Sequence, residues 1–173
     1  MKDLTDIKLL VCDCDGVLTD GLIIYDSHGA ESKNFSAHDG LGIMILSHSD
    51  IEIAVITGRE SKMLTRRCAD LKIKYLFQSI QNKKRCLDEL LNKLNLKYEN
   101  VAYIGDDWND YLAMQDCHLK IAPGNASEKF KATVDYITKN VGGYGAVREA
   151  IEYILENRNE FEKTLMKFFE SVV

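Results

Sequence analysis

Residues 7–20 read IKLLVCDCDGVLTD, an apolar run that ends in a group of carboxylates. The run Ile7–Val11 is short and rich in aliphatic residues, which favours a buried strand. Asp13 and Asp15 follow it, and Gly16 permits a sharp turn. A strand that carries charged groups at its carboxyl end is typical of a parallel sheet with a ligand site along that edge. The stretch therefore predicts a fold class and the place of a site.

Strand and helix patterns alternate along the rest of the chain. Strands are predicted at Ile7–Asp13, Ile51–Thr57, Ile73–Phe77 and Asn100–Gly105, and helices at Glu60–Leu71 and Lys83–Leu94. This order predicts an α/β fold, a Rossmann-like doubly wound and mainly parallel sheet with helices on both faces. Ligands bind such sheets in the crevice at the carboxyl ends of the strands.

Two segments stand outside this alternation. Residues 21–36 contain two short β-rich runs around the turn-prone DSHG, which predicts a projecting β-hairpin. Residues 156–173 predict a helical tail with an apolar stripe formed by Phe161, Leu165, Phe168 and Phe169. The stripe would pack on its own domain or a neighbouring subunit, or dock a specific partner. Residues 1–173 are predicted to form a single domain.

The composition excludes several classes of protein. No apolar run approaches the ~20 residues that span a bilayer, and the net charge of −5 disfavours nucleic acid and anionic membranes as partners. The N-terminus lacks the apolar core of a signal peptide, so a cytoplasmic location is expected. Five cysteines without paired spacing predict reduced thiols rather than disulfides.

The other residues of the opening stretch have structural interpretations. Cys12 and Cys14 offer too few ligands for zinc and are predicted to line the core, pointing away from Asp13 by strand alternation. Asp20 comes after the turn, where it would fix the base of the hairpin. Of the residues in this stretch, only Asp13 and Asp15 are therefore expected in the site.

Reactive side chains stand at or just after the ends of the predicted strands: Asp13 with Asp15, Thr57, Lys83, and Asp106 with Asp107. Taken singly, each has a plainer interpretation as a turn residue, a helix cap or a solvated charge. In a parallel sheet, however, these ends converge. Carboxylates hold Mg²⁺, one carboxylate can attack phosphorus, and hydroxyl and ammonium donors stabilise the transferring oxygens. The set predicts aspartyl-phosphate chemistry.

The ordered motifs carry a resemblance to a known family. Asp13-Cys14-Asp15-Gly16-Val17 resembles the D-x-D-G-[VT] signature of the haloacid dehalogenase superfamily, followed by Thr57, Lys83 and Gly105-Asp106-Asp107-x-x-Asp110 as its later motifs. More narrowly, the chain resembles the uncapped 3-deoxy-D-manno-octulosonate 8-phosphate phosphatase family in the segments DGVLTDG, GAESKNF, HDGLGI, ITGR, YIGDDWND and GGYGAVRE.

The resemblance implies a Mg²⁺-dependent phosphoric monoester hydrolase of lipopolysaccharide biosynthesis. Asp13 would be the nucleophile and Asp15 the general acid and base. The metal would be held by Asp13, the backbone carbonyl of Asp15, and Asp106. The remaining implied roles are phosphoryl binding by Thr57 and Lys83, support of a coordinated water by Asp107, and orientation of Lys83 by Asp110.

The resemblance also implies how the sugar acid is bound. Its contacts would be Ser36, Ala37, His38, Asp39, Gly40, Arg59, Arg67 and Lys83. Arg59 and Arg67 are predicted to lie on one helix near the same face, where guanidinium groups suit a carboxylate. The segments between motifs are too short for a cap domain. The family's homotetramer, in which the hairpin and Gly142–Arg148 complete a neighbour's site, implies shared active sites.

Three alternatives stay open. Octulosonate phosphatases usually have a basic residue at the position of Met44 and often an arginine at that of His38, so a nine-carbon sialic-acid-type 9-phosphate is a second candidate substrate. Arg59 favours the octulosonate type. A receiver-type phosphoacceptor is disfavoured because its third strand carries the acceptor, whereas that strand here ends in Phe77-Gln78. A non-catalytic phosphatase-like module is disfavoured by the complete set of motifs.

Overall fold

The computed structural model describes residues 2–172. Its strands are β1 (Leu9–Cys12), β2 (Ile24–Tyr25), β3 (Glu31–Ser32), β4 (Glu52–Ile56), β5 (Tyr75–Phe77), β6 (Val101–Ile104), β7 (Leu119–Ala122) and β8 (Tyr136–Ile137). Its helices are α1 (Ala37–Leu46), α2 (Lys62–Asp70), α3 (Lys83–Leu94), α4 (Trp108–Met114), α5 (Glu128–Lys131), α6 (Ala146–Asn157) and α7 (Phe161–Val172).

Six of the strands form one parallel sheet in the order β5-β4-β1-β6-β7-β8. The opening strand β1 lies inside it, with Cys12 opposite both Val55 and Ile104. The sheet extends from β1 to β4 and β5 on one side and to β6, β7 and β8 on the other, so the predicted doubly wound α/β fold is confirmed. Strands β7 and β8 were not predicted, because Lys120 interrupts the apolar residues of β7 and β8 has only two residues.

Alternation along the strands divides the core between the two faces of the sheet. Leu10 and Cys12 pack towards α1 and α6, whereas Leu9 and Val11 pack towards α3 and α4. Cys14 lies in the same cluster as Cys12, which confirms the interpretation of these thiols as core residues. Asp13 is the next odd-numbered position, so it continues the face of β1 that Leu9 and Val11 occupy.

The hairpin β2–β3 projects as a separate two-stranded antiparallel sheet. Its strands are shorter than residues 21–36, and Leu22 and Tyr25 are 63% and 62% exposed. Asp20 accepts hydrogen bonds from Leu22 N at 3.0 Å and from Asn34 Nδ2 at 3.3 Å. This confirms the prediction that Asp20 fixes the base of the hairpin.

The C-terminal tail begins later than predicted. Helix α6 continues to Asn157, and Asn159, with a φ of 56°, reverses the chain before α7 starts at Phe161. The stripe packs on the chain's own core through Phe161, Leu165 and Phe168. Phe169 is 47% exposed and lies outside that packing. None of the helices within residues 2–172 has the length and apolar character that crossing a membrane requires.

Candidate active site

A tight turn after β1 delivers the first two carboxylates. Asp13 N continues the sheet by donating to Ile104 O at 3.0 Å, and the Asp13 carboxylate accepts from Cys14 N at 2.7 Å. Gly16 then adopts a φ of 94°, where a side chain would be strained. A Cβ at this position would also overlap the Asp106 carboxylate. Glycine is thus required for the turn and for its close approach to the Asp106 carboxylate.

The ends of three neighbouring strands surround one cleft of about 340 Å³. Its lining comprises Asp13, Asp15, Thr57, Gly58, Arg59, Asp106, Asp107, Trp108 and Asn109. These residues follow β1, β4 and β6, which are adjacent in the sheet. The structure therefore brings together side chains from distant parts of the sequence, as expected at the carboxyl edge of a parallel sheet.

Lys83, in the first turn of α3, is almost fully buried and contacts Asp13 without being part of the cleft lining. Its Nζ is 2.9 Å from Asp13 Oδ1 and 2.7 Å from Asp110 Oδ1. Tyr103 OH donates a second hydrogen bond to Asp110 Oδ1 at 2.8 Å. Tyr103 is a fully buried residue of β6, so its hydroxyl contacts Asp110 from inside the core.

Buried negative charge accumulates at this point. The carboxylates of Asp13, Asp106 and Asp110 each place an oxygen within 4.8 Å of the others. Burial, followed by repulsion from Asp110, raises the pKa of Asp13 to about 7 although Lys83 lowers it. Burial, followed by repulsion from Asp13 and Asp107, raises the pKa of Asp106 to about 7. One lysine does not balance these carboxylates, and oxygen donors with excess charge are what a hard divalent cation requires.

The two remaining predicted members of the site have well-defined supports. Thr57 is buried at the end of β4, where its N donates to Phe77 O at 2.9 Å and places its side chain in the cleft lining. Asp107 caps α4 and accepts from Trp108 N at 2.8 Å. Both therefore border the cleft through backbone that is anchored in the fold.

Several predicted sugar contacts are engaged elsewhere in the chain. Ser36 caps α1 by accepting from His38 N and Asp39 N. Asp39 is buried and accepts from Gly145 N at 3.2 Å and Arg148 N at 2.8 Å, which ties α1 to α6. Within residues 2–172, the segment 36–40 is not part of the Asp13 cleft lining.

Arg67 also has a partner inside the chain. Its guanidinium donates to Ser36 O at 2.9 Å and approaches the ring of Phe35. It covers Gly40, where a Cβ would collide with it. The prediction that Arg59 and Arg67 share one helix is wrong, because Arg59 lies in the loop before α2 begins at Lys62. Arg59 reaches the Asp13 cleft, and Arg67 lies outside its lining.

The remaining members of the segment lie near a second depression. A cavity of about 380 Å³ is lined by Asn34, Phe35, Ser36, His38, Gly143 and Tyr144. His38 therefore has access to a cavity other than the Asp13 cleft, while Ala37 is exposed at the start of α1. The role of the segment in binding sugar stays a prediction.

Sequence reasoning missed a charged network on the hairpin. Lys33 pairs with Asp15 and lies 3.7 Å from Glu31, and Glu31 in turn accepts from Arg59 at 2.7 Å. The only signal in the sequence was the position of Glu31 and Lys33 in the GAESKNF motif. Trp108 and Asn109 were missed as well, because their place in the cleft depends on how α4 starts.

Comparisons with known proteins agree with this geometry. A family model described as haloacid dehalogenase-like hydrolase matches residues 76–151. The chain is 45% identical over 150 residues to the 3-deoxy-D-manno-octulosonate 8-phosphate phosphatase of Escherichia coli. This alignment covers 87% of this chain and 80% of the relative. The phosphatase of the same name from Yersinia pestis is 42% identical over 157 residues, covering 91% of this chain and 84% of the relative.

Two solved structures are similar over nearly the whole chain. The Moraxella catarrhalis 3-deoxy-D-manno-octulosonate 8-phosphate phosphatase, crystallised with a magnesium ion, a phosphate ion and KDO, has a TM-score of 0.91 and 42% identity, covering 96% of this chain and 95% of that chain. The cobalt-bound Haemophilus influenzae phosphatase has a TM-score of 0.89 and 37% identity, covering 95% of this chain and 99% of that chain.

Proposed function

Because the chain belongs to the 3-deoxy-D-manno-octulosonate 8-phosphate phosphatase family of haloacid dehalogenase-like hydrolases, we propose that it hydrolyses 3-deoxy-D-manno-octulosonate 8-phosphate to the free sugar acid and phosphate. The observation that carries the proposal is the buried group of Asp13, Lys83 and Asp110, of which Asp13 lines an acidic cleft. The enzyme is a phosphoric monoester hydrolase.

The donor set fits Mg²⁺, the cofactor that we propose. Asp13, Asp106 and the backbone carbonyl of Asp15 would hold the ion. Asp110 Oδ1 accepts from Lys83 and Tyr103, so this carboxylate is assigned to holding the lysine. When bound, the ion supplies positive charge beside the transferring phosphoryl oxygens.

The first step is nucleophilic attack by Asp13 on phosphorus. Cys14 N and Lys83 Nζ both contact Oδ1, which leaves Oδ2 as the attacking oxygen. The P–O bond to the sugar breaks as the aspartyl-phosphate forms, and Asp15 protonates the departing sugar oxygen. Thr57 and Lys83 stabilise charge on the phosphoryl oxygens. Asp15 then takes a proton from the water that hydrolyses the intermediate.

The proposal is tested by phosphate release from purified enzyme with Mg²⁺. Comparing kcat/KM for the eight-carbon 8-phosphate with that for nine-carbon 9-phosphates decides the substrate, and a strong preference for the latter would overturn our choice. Asp13→Asn is expected to abolish turnover without unfolding the protein. Asp116→Asn removes a carboxylate outside the cleft and serves as the matched control.

We also propose a homotetramer in which neighbouring copies complete one another's sites. Support comes from the exposed apolar side chains of the hairpin, with Leu22 63%, Ile23 50% and Tyr25 62% exposed. The cavity beside His38 lies apart from the Asp13 cleft and would serve a neighbour's substrate. Light scattering measures the assembly, and a monomer with full activity would contradict shared sites.

A cytoplasmic location is our third proposal. All five cysteines are buried free thiols, the state expected of a protein in a reducing compartment. Fractionation of the producing cells, followed by detection of the chain with an antibody, tests the location directly.

A further inference from the structure

A hairpin lysine with a buried side chain, Lys33, contacts the carboxylate of Asp15, two residues after the proposed nucleophile. The Lys33 side chain is 2% exposed, and its Nζ pairs with Asp15 Oδ1 and lies 3.7 Å from Glu31 Oε1. Lysine is rarely buried unless it is paired, since removing an ammonium group from water is costly. The burial of Lys33 therefore depends on the carboxylate of Asp15.

The second oxygen of Asp15 also faces a cation. Arg59 Nε lies 3.7 Å from Asp15 Oδ2. The same guanidinium donates to Glu31 Oε1 at 2.7 Å and to Tyr25 OH at 3.2 Å. Glu31 thus joins the lysine and the arginine, so the hairpin and the loop after β4 hold Asp15 from both sides.

The backbone of Asp15 does not by itself determine where this carboxylate lies. Asp15 is in the turn beside Gly16, and its nearest local contact is Cys14 Sγ at 3.9 Å, a weak donor. By contrast, the Asp13 carboxylate is held by its own neighbouring amide and by Lys83. The placement of Asp15 therefore depends on residues outside the turn.

We propose that Lys33 is a positioning residue that holds Asp15 Oδ1, so that Oδ2 carries the proton to the departing oxygen. As the bond between phosphorus and the leaving oxygen breaks, its electron pair stays on that oxygen, which takes the proton of Asp15; Lys33 keeps its own protons. The inference rests on the proposed function, in which Asp15 is the general acid. It makes the seating of the hairpin a condition for leaving-group departure.

A leaving-group comparison separates this role from substrate binding or folding. The constant kcat/KM reports the steps up to the first irreversible one, the departure of the leaving group, and is insensitive to the later attack by water. Phenyl phosphate and p-nitrophenyl phosphate have the same ring and charge. The nitrophenolate leaves readily without a proton, whereas the phenolate benefits from one.

The experiment measures kcat/KM for both aryl phosphates in wild type, Lys33→Met and Asp15→Asn. We expect Lys33→Met to lower kcat/KM about tenfold or more for phenyl phosphate and less than about threefold for p-nitrophenyl phosphate. Asp15→Asn should likewise impair the phenyl phosphate reaction more than the p-nitrophenyl phosphate reaction. Lys74→Met is the matched control, because Lys74 pairs with Glu52 on the surface and outside the cleft. In Lys74→Met, the ratio of kcat/KM for the two aryl phosphates should equal that of wild type.

An equal loss on both substrates, or no loss, overturns the positioning role while leaving the proposed function standing. An unchanged ratio in Asp15→Asn overturns the acid role and this inference with it. Failure of the proposed function has a different signature, namely a wild-type enzyme that releases no phosphate from the octulosonate phosphate. Lys33→Gln gives the same comparison if thermal melting shows that Lys33→Met is unfolded.

Discussion

Lys83 Nζ lies 2.7 Å from Asp110 Oδ1 in a pair whose side chains are 3% and 0% exposed. The same ammonium reaches Asp13 at 2.9 Å, so Asp110 holds Lys83 where it meets the proposed nucleophile. Burial makes the pair costly to break, because a desolvated charge would lose one of its partners. Its place in the core also couples the stability of the fold to the geometry of the cleft.

Replacing Asp110 with Asn should therefore impair both properties. We expect kcat to fall at least about tenfold and the free energy of unfolding to fall by on the order of 3 kcal/mol. Phosphate release and denaturant titration measure the two effects. The exposed pair of Lys84 and Asp116 offers a control, since Asp116→Asn should change neither quantity appreciably. A fully active, fully stable Asp110→Asn enzyme would contradict the assignment.

Metal binding should stabilise the folded chain. An ion that binds only the folded state at about 100 times its Kd adds about 2.7 kcal/mol of stability. We expect Mg²⁺ to raise the melting temperature of wild type and to have little effect on Asp106→Asn, because Asp106 would be a ligand. Chelation should abolish activity, and readdition should restore it. An equal rise in both proteins would exclude Asp106 from the metal site.

Gly142 should tolerate no side chain. A Cβ there would overlap the carbonyl of Gly16 and crowd Thr19 O at 2.9 Å, in the turn that carries Asp15. Gly142→Ala should lower stability by about 1–3 kcal/mol and reduce activity, because the turn must move. Gly29→Ala tests backbone strain alone, since its φ is 80° and nothing lies within 4 Å. If both variants keep full activity, the close packing is unimportant for the site.

Glu149 should make stability depend on pH in the acid range. Burial alone would raise its pKa, but hydrogen bonds from Lys139 N at 2.8 Å and Asn140 N at 2.9 Å outweigh burial and lower the pKa below 4.5. A depressed pKa contributes stability above pH 4.5, and this contribution is lost as pH falls through the folded-state pKa. Glu149→Gln should lower the free energy of unfolding by about 2 kcal/mol near neutral pH and by less at low pH.

Urea titrations between neutral pH and pH 3 measure this difference. Glu152→Gln, one turn further along α6 and paired with Arg148, is the control for a changed charge on the same helix. A constant difference between wild type and Glu149→Gln at all pH values would show that the carboxylate is not the source.

Substrate binding should change tryptophan fluorescence. Trp108 is the single tryptophan of the chain, is 50% exposed and lines the cleft beside Asp106. Phosphate added with Mg²⁺ should alter its emission in a saturable way, and Asp106→Asn should weaken the response. Calorimetric binding without any change in emission would place the ligand away from Trp108.

Much of the site was predictable because it lies at the ends of periodic elements. Short apolar runs precede Asp13, Thr57 and Asp106. Parallel strands bring their carboxyl ends to one edge of the sheet, independently of the conformation of the loops. The fold class followed from the same alternation. Strands β7 and β8 were not predicted, since Lys120 interrupts the apolar residues of β7 and β8 has only two residues.

What the sequence by itself determined is the alternation of strands and helices that fixes the fold class and the identity of the reactive residues along one edge of the sheet. Only the tertiary structure decided which other charges meet: Lys33 with Asp15, Arg59 with Glu31, and Arg67 with the start of α1 rather than the cleft. The physical reason is that periodicity reports which face of an element is buried, whereas a long charged side chain selects its partner by distance and burial. Those depend on elements far apart in the chain.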